Sequence, residues 1–116
     1  MARSPMSLLK GTLDVLILKT LSWGPTHGYA ISRWIRDITK DELTIEEGAL
    51  YPALRRLEER GWVTADWKRT ETGREAKVYT LTAAGRRHLG QEETAWRRYV
   101  AAMARVLESR PAEALA

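Results

Sequence analysis

The feature that most constrains this chain is a change of hydrophobic period. Leu9, Leu13, Leu16, Ile17 and Leu21 recur every three or four residues, which predicts an amphipathic helix over about residues 7–22. Trp23-Gly24-Pro25-Thr26 stops it, because glycine accepts a left-handed cap and proline restricts the residue before it. A second helix is expected with Thr26 as N-cap and Tyr29, Ile31, Trp34, Ile35 and Ile38 as its apolar stripe. Residues 39–43 are mostly polar and read as a loop. Thr44 and Glu47 have capping-box spacing and would open a third helix reaching about Arg60. Its Leu50, Leu54 and Leu57 would face inward, and Arg55, Arg56 and Glu59 outward. Pro52 lies well past that start, so it demands loose first turns or a later beginning. Gly61 supplies the stop. Beyond it the period falls to two, with Val63, Ala65 and Trp67 on one face and Thr64 and Asp66 on the other. Residues 77–81 form a second short strand, and the polar, Gly73-containing stretch between makes the pair a hairpin with a charged tip. Thr82 then caps a long final helix over about 83–107, with the Pro111 and alanine-rich tail expected to fray.

Three helices followed by a hairpin are the order of a winged helix-turn-helix, a mainly α fold with a small β element. The expected division is a DNA-binding winged domain over residues 1–82 and a dimerisation helix with its tail over 83–116. On that last helix Leu89, Trp96, Val100, Met103 and Leu107 are spaced by about seven, four, three and four residues. This is coiled-coil seam spacing, interrupted where Glu93 takes a seam position. A stripe with no partner in its own domain argues for a homodimer; the alternative is folding back onto the first helix of the same chain.

Composition closes off several function classes. The longest apolar run, residues 99–104, is far short of the ~20 residues of a membrane helix, and no export signature stands at the start, so a soluble cytoplasmic protein without a membrane partner is expected. Without cysteine, and with only His27 and His88, the chain offers no thiolate or histidine-rich metal site and no cysteine nucleophile. Asp41-Glu42 and Glu46-Glu47 are acidic pairs in a loop and at a helix start, where the helix dipole accounts for the second pair. No glycine-rich phosphate loop is present, so neither an enzyme nor a cofactor is expected. The net charge of +4 is unevenly placed: residues 61–90 hold six cations against three anions. Such clustering suits a phosphate-bearing partner, although an ordinary solvated face would look the same on charge alone.

In a winged helix-turn-helix the third helix enters the major groove and the hairpin reaches backbone or minor groove. Gly48, Ala49 and Tyr51 offer small or flat side chains early in that helix: alanine can meet a thymine methyl and tyrosine can donate to phosphate. Arg55 and Arg56 follow one turn later. Arg55 has a favourable neighbour in Glu59, whereas Arg56 faces Arg60 at the same spacing, which leaves Arg56 freer for phosphate.

Four stretches carry a resemblance to the PadR family of transcriptional regulators. They are Leu9-Lys-Gly-Thr-Leu-Asp-Val-Leu-Ile-Leu18, Gly24-Pro-Thr-His-Gly-Tyr-Ala-Ile31, Gly48-Ala-Leu-Tyr-Pro-Ala-Leu-Arg-Arg-Leu57 continuing through Gly61, and Tyr79-Thr-Leu-Thr-Ala-Ala-Gly85. Together they cover residues 9–85 in the family's order, and the short chain resembles the subgroup with a single C-terminal helix. The wing departs from the pattern, since Arg74-Glu-Ala-Lys77 is less basic than in many relatives. The resemblance implies a homodimeric repressor on a double-stranded operator, with paired C-terminal and N-terminal helices, Leu9 and Leu13 among them, forming the interface. It places Tyr51 and its neighbours on DNA and assigns Arg74 and Lys77 to the wing. His27 reads as a capping or backbone-supporting residue against a ligand-sensing one, and Tyr29 as core against a phosphate contact. In multidrug-sensing members a tryptophan placed like Trp96 stacks on flat aromatic compounds. Trp96, with Tyr99 beside it, is therefore either seam packing or an effector site for a small planar aromatic. The rival from another class is a winged-helix module for protein–protein interaction without sequence-specific DNA binding, because the fold does not dictate the function.

Overall fold

The computed structural model describes residues 11–111. Along the chain run α1 (Thr12–Leu21), β1 (Thr26–His27), α2 (Gly28–Ile38), α3 (Glu47–Glu59), β2 (Val63–Arg69), β3 (Glu75–Leu81) and α4 (Ala83–Glu108). The expected three helices, hairpin and final helix are all present. Leu9 and the predicted first turn of α1 lie outside the described residues.

One apolar core joins the elements. Ile17, Leu18 and Leu21 of α1 meet Ile31 and Ile35 of α2, Leu50, Ala53, Leu54 and Leu57 of α3, and Val63 and Tyr79 of the sheet. The expected stripe of α2 is narrower than its spacing suggested: Ile31 and Ile35 are buried, but Tyr29 and Ile38 face solvent. The start of α2 also differs from the expectation. Thr26 does not cap α2; it pairs with Tyr79, and His27 with Val78, so that β1 becomes the outer strand of a three-stranded antiparallel sheet ordered β1-β3-β2. The cap position passes to His27, whose side chain makes no capping bond.

The capping box at Thr44 and Glu47 is also absent. Glu46 occupies the cap position, and its carbonyl accepts from the amides of Ala49 and Leu50, both at 3.0 Å. Ile45 is buried in the core, and Ser32 Oγ donates to its carbonyl at 3.3 Å. Those ties keep the chain extended up to Glu46 and delay the helix, which moves Pro52 nearer its first turns. Gly61 ends α3 as expected. With φ +76 it lets its own amide reach the Glu58 carbonyl and the Trp62 amide reach that of Leu57, both at 3.0 Å, the paired bonds of a Schellman stop.

Thr82 caps α4 as the sequence predicted, its hydroxyl oxygen accepting from the Gly85 amide at 3.0 Å and its own O–H donating to the Gly61 carbonyl at 2.7 Å. One expectation about α4 needs correcting. Leu89 is buried in the core of its own chain. The first turns of α4 pack along α1, where Lys19 Nζ meets Glu93 Oε1 at 3.3 Å, so Leu89 is not available on the exposed stripe of α4. From Thr94 to Pro111 only Ala104 is less than exposed. The radius of gyration, 17.4 Å, exceeds the roughly 13 Å of a compact domain this long because that half of α4 stands away from the core. Among the described residues no helix is long and apolar enough to cross a membrane.

Candidate nucleic-acid interface

An open cleft of about 930 Å³ lies between α3 and the β2–β3 hairpin, with the start of α2 at one end. Tyr51, Arg55 and Arg56 enter it from α3, Lys77 from β3, and Tyr29 from α2. Local packing fixes this arrangement. A β-carbon on Gly28 would lie 2.9 Å from Tyr51 Cε1, so the absence of a side chain lets α2 start against the tyrosine ring. His27 and Tyr29 stack with ring centroids 5.2 Å apart and planes at 4°. The Nδ1 of His27 is buried with no hydrogen-bond partner among the described residues. His27 thus supports the corner by its position and its ring, and Tyr29 is a surface residue of the cleft, not core.

Each cation expected in the cleft has a carboxylate beside it. Arg55 Nε lies 3.7 Å from Glu59 Oε1, the pair read from the sequence. Arg56 is not free: its Nη2 donates to Asp14 Oδ1 at 3.0 Å. The sequence considered only neighbours on the same helix, and the partner comes from α1. Lys77 Nζ lies 3.8 Å from Glu58 Oε1 and 5.8 Å from the centre of the Tyr79 ring. Burial pushes the Tyr79 phenol above its ordinary value, and the charge on Glu58, then Tyr51, adds to the shift; it stays neutral and protonated. Exposed pairs of this kind contribute about 0–1 kcal/mol each, so a polyanion can exchange for the carboxylates.

Gly48 and Ala49 are exposed on the first turn of α3, outside the cleft but on the end that a major groove would meet. Arg74 stands apart from Lys77. It belongs to the hairpin tip, where the Thr70 amide donates to the Arg74 carbonyl at 2.7 Å and Gly73 turns with φ +83. With Lys68 and Arg69 it lines a second shallow groove on the other side of the wing. Trp67, exposed in the main cleft, was missed as a site residue; the alternation put it on one face with Val63 and Ala65 and gave no sign that this end of the row is open to solvent.

Among the described residues no group of three or more His, Asp or Glu side chains could hold a metal ion. What the cleft offers is cations and flat rings open to solvent beside the third helix of a winged helix. A family model described as the transcriptional regulator PadR-like family matches residues 17–91. The chain belongs to that family. PadR-like proteins are transcriptional regulators, which makes this chain a DNA-binding regulator and not an enzyme. Solved structures agree with the winged fold and the long last helix. A transcriptional regulator from Clostridium thermocellum is 30% identical with a TM-score of 0.76, the match covering 83% of this chain and 93% of that one. A PadR family transcriptional regulator from Eggerthella lenta is 32% identical with a TM-score of 0.75, covering 87% and 86%. An uncharacterized protein of Lysinibacillus sphaericus is 30% identical over 89 residues, which is 77% of this chain and 82% of the relative.

Proposed function

We propose that this PadR-like regulator is a cytoplasmic homodimeric repressor that binds a pseudo-palindromic operator through α3 and the wing. The observation that carries the DNA-binding geometry is the solvent-open cleft in which Tyr51, Arg55, Arg56 and Lys77 converge. Gly48 and Ala49 approach base edges, Tyr51 and the cations hold phosphates, and Arg74 serves the wing tip. Dimerisation is supported by the exposed face of α4, where Trp96, Tyr99, Val100, Met103, Val106 and Leu107 all remain accessible. A patch of that kind on a lone chain is an association site. Leu13, half-buried against the core, adds to the same interface, whereas Leu89 supports it from within. Two-fold pairing then calls for half-sites separated by about one helical turn or a multiple of it.

Release by a planar aromatic effector belongs to the same proposal. Trp96 and Tyr99 stack at 6.0 Å with 27° between their planes, which presents two aromatic faces on the unpaired side of α4. Gel shifts on duplexes from the gene's own upstream region, at two salt concentrations, test the reading. Retarded complexes that weaken steeply with salt are expected. Binding indifferent to salt would refute the electrostatic assignment, and no binding would favour the protein–protein module.

A further inference from the structure

Trp67 is the most exposed aromatic side chain among those described, at 66%, yet it lies on the inward-facing row of β2. That row leaves the core step by step: Val63 is buried, Ala65 is half-buried and Trp67 is in solvent. Sheet twist carries the far end of the strand away from α3, so the indole ends in the cleft and not in the core. Directly across the hairpin, in register with it, stands Lys77. Tyr29 and Tyr51 line the same cleft, with Arg55 and Arg56 on its α3 side.

We propose that Trp67 is a DNA-contacting residue whose indole packs against the deoxyribose face of the backbone strand that lies between α3 and the wing. The inference rests on the DNA-binding reading above. A recognition helix in one groove and a wing in the next leave a single sugar–phosphate strand between them. Phosphates on that strand alternate with sugars, whose faces are apolar. The cleft holds both kinds of surface, with Arg56 and Lys77 as cations and Trp67 and Tyr29 as flat apolar surfaces. Such a contact is independent of sequence, and it releases no counterion.

A mixed-sequence duplex of about three helical turns at low salt is therefore a sufficient probe. Trp67→Ala should weaken binding about tenfold at every salt concentration, as expected for loss of a buried apolar contact. The slope of log affinity against log salt should stay that of the unmodified chain, while Lys77→Ala should lower it by about one. Trp67→Phe should recover most of the affinity. Acrylamide quenching provides a second measurement: duplex should shield accessible indole emission in the unmodified chain and shield less of it in Trp67→Phe, a comparison needed because Trp23 and Trp96 are exposed as well. Equal affinity of Trp67→Ala and the unmodified chain, or quenching unchanged by duplex, would overturn the proposal. A loss of salt slope in Trp67→Ala as large as in Lys77→Ala would overturn it too. Failure of the unmodified chain to bind any duplex would instead remove the DNA-binding reading itself.

Discussion

Gly85 shows how tightly single positions are held. A β-carbon there would collide with the backbone carbonyl of Trp62, which already accepts the Thr82 amide at 3.0 Å. Neither backbone can yield, so Gly85→Ala should lower stability by about 1–3 kcal/mol in urea unfolding. Gly90, on the same helix, meets nothing within 4 Å, and Gly90→Ala should stabilise by about 0.5–1 kcal/mol. Arg56 gives a second prediction at this scale. Asp14 holds one guanidinium nitrogen and sets a negative charge beside the proposed phosphate site. Asp14→Asn keeps an acceptor and removes the charge. DNA affinity should rise, by at most about fivefold given the weight of an exposed pair, as read by fluorescence anisotropy. Weaker binding would show that the charge positions Arg56 instead of competing for it.

At the scale of elements, α3 and the hairpin divide the work between sequence choice and general affinity. If Lys77 holds a phosphate as proposed, Lys77→Ala should weaken all duplexes alike and lower the salt slope by about one. Substitution of Ala49, on the first turn of α3, should instead change which duplex is preferred in a competition assay. The elements themselves were largely legible. The inward leucines of α3, the Gly61 stop and the Thr82 cap each follow from local chemistry, and the structure shows all three. Three local signals were overridden by tertiary contacts. Thr26 pairs with β3 in place of capping α2; Ile45 is drawn into the core before α3 can start; and Arg56 finds Asp14 across 42 residues of sequence. Each partner comes from an element that periodicity within one helix cannot see.

For the whole molecule, α4 is the deciding element. Its first turns complete the core through Leu89, and the remainder stands free. Truncation after Gly90 should therefore leave a folded chain that sediments as a monomer. A truncated chain that remains a stable dimer would place the main interface elsewhere. Effector sensing belongs to this scale as well. In the proposed dimer a planar dye that entered beside Trp96 would alter DNA binding only as far as it preferred one spacing of the winged domains. Dye affinity, followed by tryptophan fluorescence, should fall at least about tenfold in Trp96→Ala if the indole is the stacking surface. Trp23, Trp34, Trp62 and Trp67 also emit, so the variant comparison is required. Equal affinity in both chains would leave Trp96 as packing.

The sequence by itself determined the order of the helices and the hairpin, the helix stops and the family, because these depend on spacing, glycine and proline chemistry and local motifs; the pairing of Thr26 and His27 as a third strand came only with the tertiary structure. The sequence also placed Tyr51, Arg55, Arg56 and Lys77 close enough to converge in one cleft. Only the tertiary structure decided where each apolar row leaves the core. The spacing that predicts a buried stripe is the same for Ile31, which is buried, and Tyr29, which is not. It is the same for Val63 at the base of the wing and Trp67 near its tip, and for Leu89 and Trp96 along α4. Burial depends on what lies opposite, and an opposite face is supplied by another element. Periodicity records which side of a helix or strand is apolar; packing fixes how far along that side the core extends.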